Sequence, residues 1–288
     1  MLPASLELIR PINCVLAGIA VLIGGVVGSG RINFAGPDAY ILTFLVAALV
    51  AGGGNAINDY FDQAIDKINR PKRPIPSGRM KPETALRIAR GLLIAGILVS
   101  VGLKNPYCFA IAGLNSLMLV LYAEKLKRMG LPGNLTIGYL VGSTFLFGGV
   151  AISPYGSGPL VPTELWVLVL MAALSTVGRE LIKGIEDMPG DRKLGLRTFP
   201  LTYGARKAAV VSALFILTAV GLSPIPYLEG IFGRAYLLPL LASIGFFLAA
   251  TALILWKPDP KQAKRASLAC KLGMGLGLAA FLAGALSA

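Results

Sequence analysis

The chain has 288 residues, of which 55% are hydrophobic and only 14% are charged, against roughly 25% charged in an ordinary soluble domain. It carries 27 Lys and Arg, 14 Asp and Glu and no His, which gives a formal net charge of +13. This composition excludes a disordered chain, a disulfide framework and a zinc site of the usual His/Cys kind. The three cysteines lie far apart in apolar stretches, which predicts that they are small buried hydrophobic residues.

Nine stretches of the chain are long and apolar enough to cross a bilayer, which takes about 20 residues each. We interpret the first as a retained span and not a signal peptide, because Arg10-Pro11 precedes it and it runs long. The sequence therefore predicts an all-α, polytopic membrane protein whose residues 1–288 form a single domain. The stretches are 11–30, 38–57, 86–103, 106–123, 134–153, 163–180, 205–222, 235–256 and 268–286.

The cationic residues are unevenly divided between the two ends of these spans. When the spans alternate from a cytoplasmic N-terminus, 24 of the 27 Lys and Arg fall on one face and only Arg31, Lys104 and Arg234 on the other. Lys and Arg mark the cytoplasmic side of membrane proteins. The pattern predicts a multi-pass protein of the cell (plasma) membrane with a cytoplasmic N-terminus and an external C-terminus. The basic excess thus indicates orientation, and no nucleic-acid partner is expected.

Half of the acidic residues lie in two short segments, at the cytoplasmic ends of the second and sixth spans. Four spans separate them, which is consistent with two related four-helix units, 11–133 and 134–267, plus a ninth helix, 268–286. The first segment places one amide and three carboxylates on one helical face, because their spacings are four, three and four: Asn55, Asp59, Asp62 and Asp66. Repulsion among the carboxylates favours a bound cation, and their hard oxygens favour Mg²⁺. A solvated acidic helix end is the alternative.

The second segment carries Lys183 and Asp187 on one helical face. Asp191 follows one turn or one loop further on, depending on whether Pro189-Gly190 turns the chain. Two such clusters can hold two Mg²⁺ ions, and basic residues interleave with the acids. Acids for metal and bases for phosphate, beside an apolar chamber, describe a diphosphate site. An allylic diphosphate would ionise there, and a nucleophile would capture the cation away from water.

These motifs resemble the signatures of the UbiA superfamily of intramembrane prenyltransferases. The first signature is matched by Asn55-x-x-Asn58-Asp59-x-x-Asp62-x-x-x-Asp66 and then Arg73-Pro-Ile-Pro-Ser-Gly78. The second is matched by Asp187-Met-Pro-Gly190-Asp191-x-x-x-Gly195-x-x-Thr198. The basic loop after the family's fourth helix is matched by Tyr122-Ala-Glu-Lys125-Leu-Lys127-Arg128. The resemblance covers essentially the whole chain.

The resemblance implies nine transmembrane helices around a central cavity with a cytoplasmic cap. It implies a first Mg²⁺ held by Asn55, Asp59 and Asp62, with Asp66 near it, and a second held by Asp187 and Asp191. Four of these carboxylates are the implied catalytic residues: Asp59, Asp62, Asp187 and Asp191. The implied diphosphate contacts are Arg70, Arg73, Lys125, Lys127 and Lys183.

The acceptor of the prenyl group separates the branches of this family. The chain looks most like the archaeal lipid branch, in which a geranylgeranyl diphosphate donor prenylates the lipid geranylgeranylglyceryl phosphate. An aromatic acceptor of the 4-hydroxybenzoate type is the alternative. Outside the family, a secondary transporter would carry inverted repeats and midplane carboxylates, whereas these acids cluster at helix ends. A CDP-alcohol phosphotransferase would need a Gly- and Arg-containing run between paired Asp residues, which the sequence lacks.

Overall fold

A computed structural model describes residues 3–29, 37–152, 161–193 and 195–287. Within these ranges the chain is helical, without strands, and one short 3₁₀ turn (Leu126–Arg128) joins α6 to α7. The α-helices are Ala4–Ile9 (α1), Pro11–Ser29 (α2), Pro37–Phe61 (α3), Gln63–Asn69 (α4), Pro82–Val101 (α5), Pro106–Glu124 (α6), Leu131–Ile152 (α7), Thr163–Lys193 (α8), Phe199–Tyr203 (α9), Ala205–Leu222 (α10), Ile225–Leu228 (α11), Arg234–Trp256 (α12) and Pro260–Ser287 (α13).

The described residues contain nine helical segments that are long and apolar enough to cross a membrane. They are α2, α3, α5, α6, α7, α8, the segment formed by α10 and α11 together, α12 and α13. This confirms the prediction of an all-α protein with nine spans. The ends of two predicted spans, at residues 30 and 153, and Arg31 of the charge count lie outside the described residues.

Two helices extend much further than their apolar stretches predicted. α8 continues to Lys193 and α13 begins at Pro260. Hydropathy detects only the part of a helix that is apolar all round, and both extensions are amphipathic. In α8, Leu181, Ile182 and Ile185 are buried while Lys183 on the other face is exposed.

The first compact unit contains α1 to α6 and the part of α7 from Ser143 onward. α3 packs against α1, α5 and α6, and α5 also packs against α6. Small residues allow these helices to approach closely, since Ala56, Ala85 and Ala89 are fully buried in the cluster that they form with Leu8. This cluster supports the end of α3 that carries the first acidic segment.

The second compact unit contains the part of α7 up to Gly142 and helices α8 to α13. α8 packs against α10 and α13, and α12 packs along α13. The core is built from Ile182 and Ile185 of α8 with Ala209, Ile254 and Ala266 of the other helices. Because this core extends under the C-terminal third of α8, it holds the second acidic segment in a helical register.

Glycines mark the closest helix contacts. A Cβ on Gly24 would overlap the Phe145 carbonyl of α7, and one on Gly53 would lie 2.7 Å from the Leu93 side chain. Small residues let helix backbones pack closely in membranes. The three cysteines are buried, which confirms their prediction as small buried residues.

We expect Gly148→Ala to destabilise the protein, because its Cβ would overlap the Val21 carbonyl oxygen, a backbone atom that cannot rotate away. Overpacking of this kind costs about 1–3 kcal/mol, more than the gain of up to about 1 kcal/mol from replacing a helical Gly by Ala. Gly113→Ala is the matched control, since nothing lies within 4 Å of its Cβ position. Thermal unfolding in detergent measures both variants; equal melting temperatures would contradict the close contact.

Candidate active site

The first acidic segment spans the end of α3 and the whole of α4. α3 ends at Phe61, and Asp62 stands between the two helices. The helical bonding pattern nevertheless continues across the break, from Asp62 N to Asn58 O (2.9 Å) and from Asp66 N to Asp62 O (2.8 Å). The predicted common register of this segment is therefore kept despite the change of helix.

Two of its carboxylates are buried and neutralised by arginines. Asp59 is only 4% exposed and Asp66 only 5%. The Arg73 guanidinium bridges them, with Nη1 at 3.1 Å from Asp59 Oδ1 and 2.6 Å from Asp66 Oδ2. Arg10 donates a second, short hydrogen bond to the same Asp59 oxygen. A carboxylate removed from water needs such partners, because an unpaired buried charge is strongly unfavourable.

The two asparagines of the segment are engaged differently. Asn58 Nδ2 donates to Asp62 Oδ2 at 2.8 Å. Asn55 Nδ2 donates to the backbone carbonyl of Ile9 at 2.9 Å, which ties α3 to the end of α1. Since the amide nitrogen of Asn55 is used in this way, its carbonyl oxygen is the atom left for a cation.

The donor set fits a hard divalent cation such as Mg²⁺, since it consists of carboxylate and amide oxygens. Within the described ranges, no three His, Cys, Asp or Glu residues come close enough to form a metal cluster. The reason is visible in the contacts: Arg73 is held between Asp59 and Asp66, and Asp62 is drawn to Asn58. The types of oxygen ligand therefore fit a cation, and the guanidinium groups of Arg10 and Arg73 supply the positive charge beside these carboxylates.

The second acidic segment is continuous helix. α8 passes through Pro189 without ending and stops only at Lys193. Lys183, Asp187 and Asp191 are four residues apart and so follow one another along one face. Both Lys183 and Asp187 interact electrostatically with Asp191. Pro189 therefore does not turn the chain, and Ile182 and Ile185 on the buried face of α8 pack into the core of this unit shortly before it.

The other predicted basic contacts take different places. Arg70 ends α4 and is exposed, and Lys125 ends α6 and is exposed. Lys127 is half-buried in the 3₁₀ turn, in the second unit. Glu180, beside the second acidic segment, pairs with Arg179 at 2.7 Å.

Arg10 is the residue of this site that the sequence reasoning missed. It was counted only among the charges that set orientation, yet it contacts a buried carboxylate 49 residues away. It has a positive φ of 53° at the junction of α1 and α2. The Arg-Pro pair directly before a span was the available signal, but nothing in the local pattern indicated its partner.

Near this site, α1 is also fixed to the loop after α4 by an ion pair. Arg79 Nη1 lies 2.7 Å from Glu7 Oε2, and each side chain is about a third exposed. The hydrogen bond that Arg79 donates to Glu7 raises the pKa of Arg79. The loop after α4 is thus held at two points. Arg73 pairs with Asp59 and Asp66, and Arg79 pairs with Glu7.

A profile of the UbiA prenyltransferase family matches residues 14–282. The chain belongs to the UbiA prenyltransferase family. A curated relative, digeranylgeranylglyceryl phosphate synthase of Methanopyrus kandleri, is 42% identical over 280 residues, which cover 97% of this chain and 98% of the relative.

Two solved structures show the same UbiA fold. A structure of a digeranylgeranylglyceryl phosphate synthase in membranes is 40% identical, covers 98% of both chains and superposes with a TM-score of 0.86. A UbiA homologue from Archaeoglobus fulgidus bound to GPP and Mg²⁺ is 16% identical, covers 96% of this chain and 99% of the homologue, and has a TM-score of 0.63. At that identity the likeness shows the fold alone.

For this UbiA family member we expect Arg73→Gln to lower the free energy of unfolding by roughly 3 kcal/mol, since it removes one partner of a buried ion pair. Millimolar Mg²⁺ is expected to restore part of the loss, because a cation can take the place of the guanidinium. Thermal unfolding in detergent, with and without Mg²⁺, measures both effects.

Arg79→Gln is the matched control for that change. Its ion pair with Glu7 is far more exposed than that of Arg73, and exposed pairs contribute little because water solvates both ions. A loss of stability as large as that of Arg73→Gln would contradict the conclusion that burial makes the Arg73 ion pairs stronger than the Arg79 pair.

Proposed function

We propose that the protein transfers a geranylgeranyl group from geranylgeranyl diphosphate to geranylgeranylglyceryl phosphate, forming an ether lipid of the archaeal type. The observation that carries this proposal is similarity along the full chain, at 42% identity, to a digeranylgeranylglyceryl phosphate synthase. The paired Asp-rich segments at helix ends support prenyl transfer in particular.

The proposed metal ligands follow the two segments. Asn55, Asp59, Asp62 and Asp66 would hold one Mg²⁺, and Asp187 with Asp191 a second. Bound there, Mg²⁺ supplies Lewis-acid stabilisation of the departing diphosphate. The Mg²⁺ and GPP bound by the Archaeoglobus fulgidus homologue support the use of Mg²⁺ in general.

The basic residues would bind the donor. They would supply fixed positive charge beside the diphosphate: Arg70, Arg73, Lys125, Lys127 and Lys183. Because this charge is already in place, little reorganisation of the site is needed when negative charge develops on the departing diphosphate. For Arg73 this requires exchange of a carboxylate contact for a phosphate contact, since its guanidinium lies on Asp59 and Asp66. The buried carboxylates therefore hold Arg73 in position for the donor.

The reaction exchanges one bond for another at the first carbon of the prenyl chain. The carbon–oxygen bond to the diphosphate breaks, and the diphosphate leaves with the electron pair. The free hydroxyl of the glycerol lipid attacks the resulting allylic cation and forms the ether bond. Its proton passes to the released diphosphate, to water or to a carboxylate, and apolar side chains keep water from capturing the cation.

The proposed location follows from the spans and the charges. The nine apolar helices support a multi-pass membrane protein. With its Lys and Arg on the cytoplasmic side, the N-terminus and both acidic segments would face the cytoplasm and the C-terminus the outside of the plasma membrane. There the protein can meet a soluble Mg²⁺ ion together with membrane-dissolved donor and acceptor.

A product assay tests the acceptor. The purified protein receives geranylgeranyl diphosphate and Mg²⁺ with either geranylgeranylglyceryl phosphate or 4-hydroxybenzoate. We expect the diether lipid phosphate as the product, detected by mass spectrometry, and no product when EDTA removes Mg²⁺. A prenylated aromatic acid as the sole product would reject the lipid acceptor while keeping prenyl transfer.

The role of the carboxylates is tested with Asp→Asn variants, which remove the negative charge and keep the size of the side chain. Asp59→Asn and Asp187→Asn should each lower kcat by at least about a hundredfold, since each removes a metal ligand that acts in the transition state. Asp38→Asn is the control, because Asp38 is exposed in the first turn of α3, away from the acidic segment. Normal Mg²⁺-dependent turnover in either site variant would overturn the two-metal assignment.

A further inference from the structure

A second basic feature lies in the unit that contains α8, apart from the residues assigned to the donor. It is a pocket of about 590 Å³ between two connections, residues 128–132 around the start of α7 and residues 197–203 after α8, which include α9. Its lining includes Arg128, Met129, Leu131, Arg197 and Phe199.

The two walls of the pocket are joined through backbone atoms. Gly130 has a φ of +71°, which favours glycine, and a Cβ there would lie 3.1 Å from the Phe199 backbone nitrogen. On the other side, a Cβ on Gly184 of α8 would lie 3.0 Å from the Pro200 ring. The first approach brings the two connections together at Gly130 and Phe199, and the second brings Pro200 of α9 against α8. The pocket therefore lies where the chain is closely packed.

The lining is cationic and apolar at once. None of the described residues that line the pocket is acidic. Neither Arg128 nor Arg197 forms an ion pair or a side-chain hydrogen bond within the part of the chain that the structure describes. Two guanidinium groups without a carboxylate favour an anion, and their planar donors fit phosphate. Met129, Leu131 and Phe199 offer an apolar surface beside it.

The pocket is also connected closely to the second acidic segment. Arg197 follows Asp191 by six residues, and the intervening turn is closed by a hydrogen bond from Leu196 N to Asp191 O at 3.0 Å. Gly195, with a φ of +65°, makes this turn possible at the end of α8. The pocket lining thus begins six residues beyond Asp191, in the connection that follows the end of α8.

We propose that this pocket binds the phosphate monoester of the lipid acceptor through Arg128 and Arg197. The assignment rests on the proposed function, and it makes the two arginines positioning residues that determine acceptor specificity. A phosphate monoester matches the guanidinium groups, and the glycerol with the first part of its chain matches the apolar wall. An aromatic acid carries no such phosphate, so the pocket separates the two acceptor classes by charge and by shape.

The test uses Arg128→Gln, Arg197→Gln and the double variant of the full chain in a neutral detergent, so that no anionic lipid competes. Each single variant should raise the KM for geranylgeranylglyceryl phosphate about tenfold or more, as expected for a lost charge-assisted hydrogen bond. The KM for geranylgeranyl diphosphate and kcat should stay within about twofold. Arg197→Lys should recover part of the acceptor affinity, because the charge is kept while the fork is lost.

Arg192→Gln is the matched control, since Arg192 is exposed in the last turn of α8 but does not line the pocket. An equal rise of the acceptor KM in this variant would assign the effect to general surface charge and overturn the pocket proposal. The single variants decide the matter where the double variant is not recovered in folded form.

Competition distinguishes a lipid phosphate from free phosphate. Glycerol phosphate should compete with the lipid acceptor in the unsubstituted protein, and the inhibition should be weakened about tenfold or more in the single variants. Inorganic phosphate that inhibits without competing with the acceptor, and only when both arginines are present, would overturn the lipid assignment. Failure of the unsubstituted protein to prenylate the lipid rejects the proposed function, whereas prenylation with an unchanged acceptor KM in both single variants rejects the pocket alone.

Discussion

Burial of negative charge at the end of an apolar helix is the constraint on which the first unit depends. Asp59 and Asp66 are almost fully removed from water, and an unpaired carboxylate in such a place is unfavourable by several kcal/mol. The solution is a pair of arginines from distant parts of the chain, Arg10 before α2 and Arg73 after α4. These contacts draw α1, the end of α3 and the following loop together, so the architecture around the cluster is organised by charge as much as by apolar packing.

The second unit solves a different problem. There the carboxylates Asp187 and Asp191 are accessible to water. The helix that carries them contains a proline and needs stabilising contacts of its own. Ile182 and Ile185 supply that support by packing against α10, α12 and α13. The first acidic segment is therefore stabilised by its ion pairs, and the second by the apolar face of the helix that carries it. Both arrangements leave carboxylate oxygens at a helix end, where the proposed Mg²⁺ ions would be held.

Much of this could be predicted from the sequence, because a bilayer forces a strong and regular pattern. Spans of about 20 apolar residues indicated the helices, and the spacing of the first acidic segment indicated its helical register. Long-range pairing could not be predicted in this way. Nothing local connects Arg10 with Asp59, and the continuation of α8 through Pro189 depends on packing partners that lie elsewhere in the chain. The short helices α1, α9 and α11 were missed because fewer than two turns give no detectable period.

The length of α8 has a consequence for the depth of the chemistry. Its 31 residues extend about 46 Å at 1.5 Å per residue, whereas the hydrocarbon layer is about 30 Å thick. Even a tilt of about 20° leaves several turns of the helix beyond the acyl chains. Under the proposed function, the final turns, with Asp187 and Asp191, would reach the layer of lipid headgroups, where ions and water are available, while the isoprenoid chains remain dissolved among the acyl chains. The length of α8 would thus set the proposed ionic step at the boundary between water and hydrocarbon.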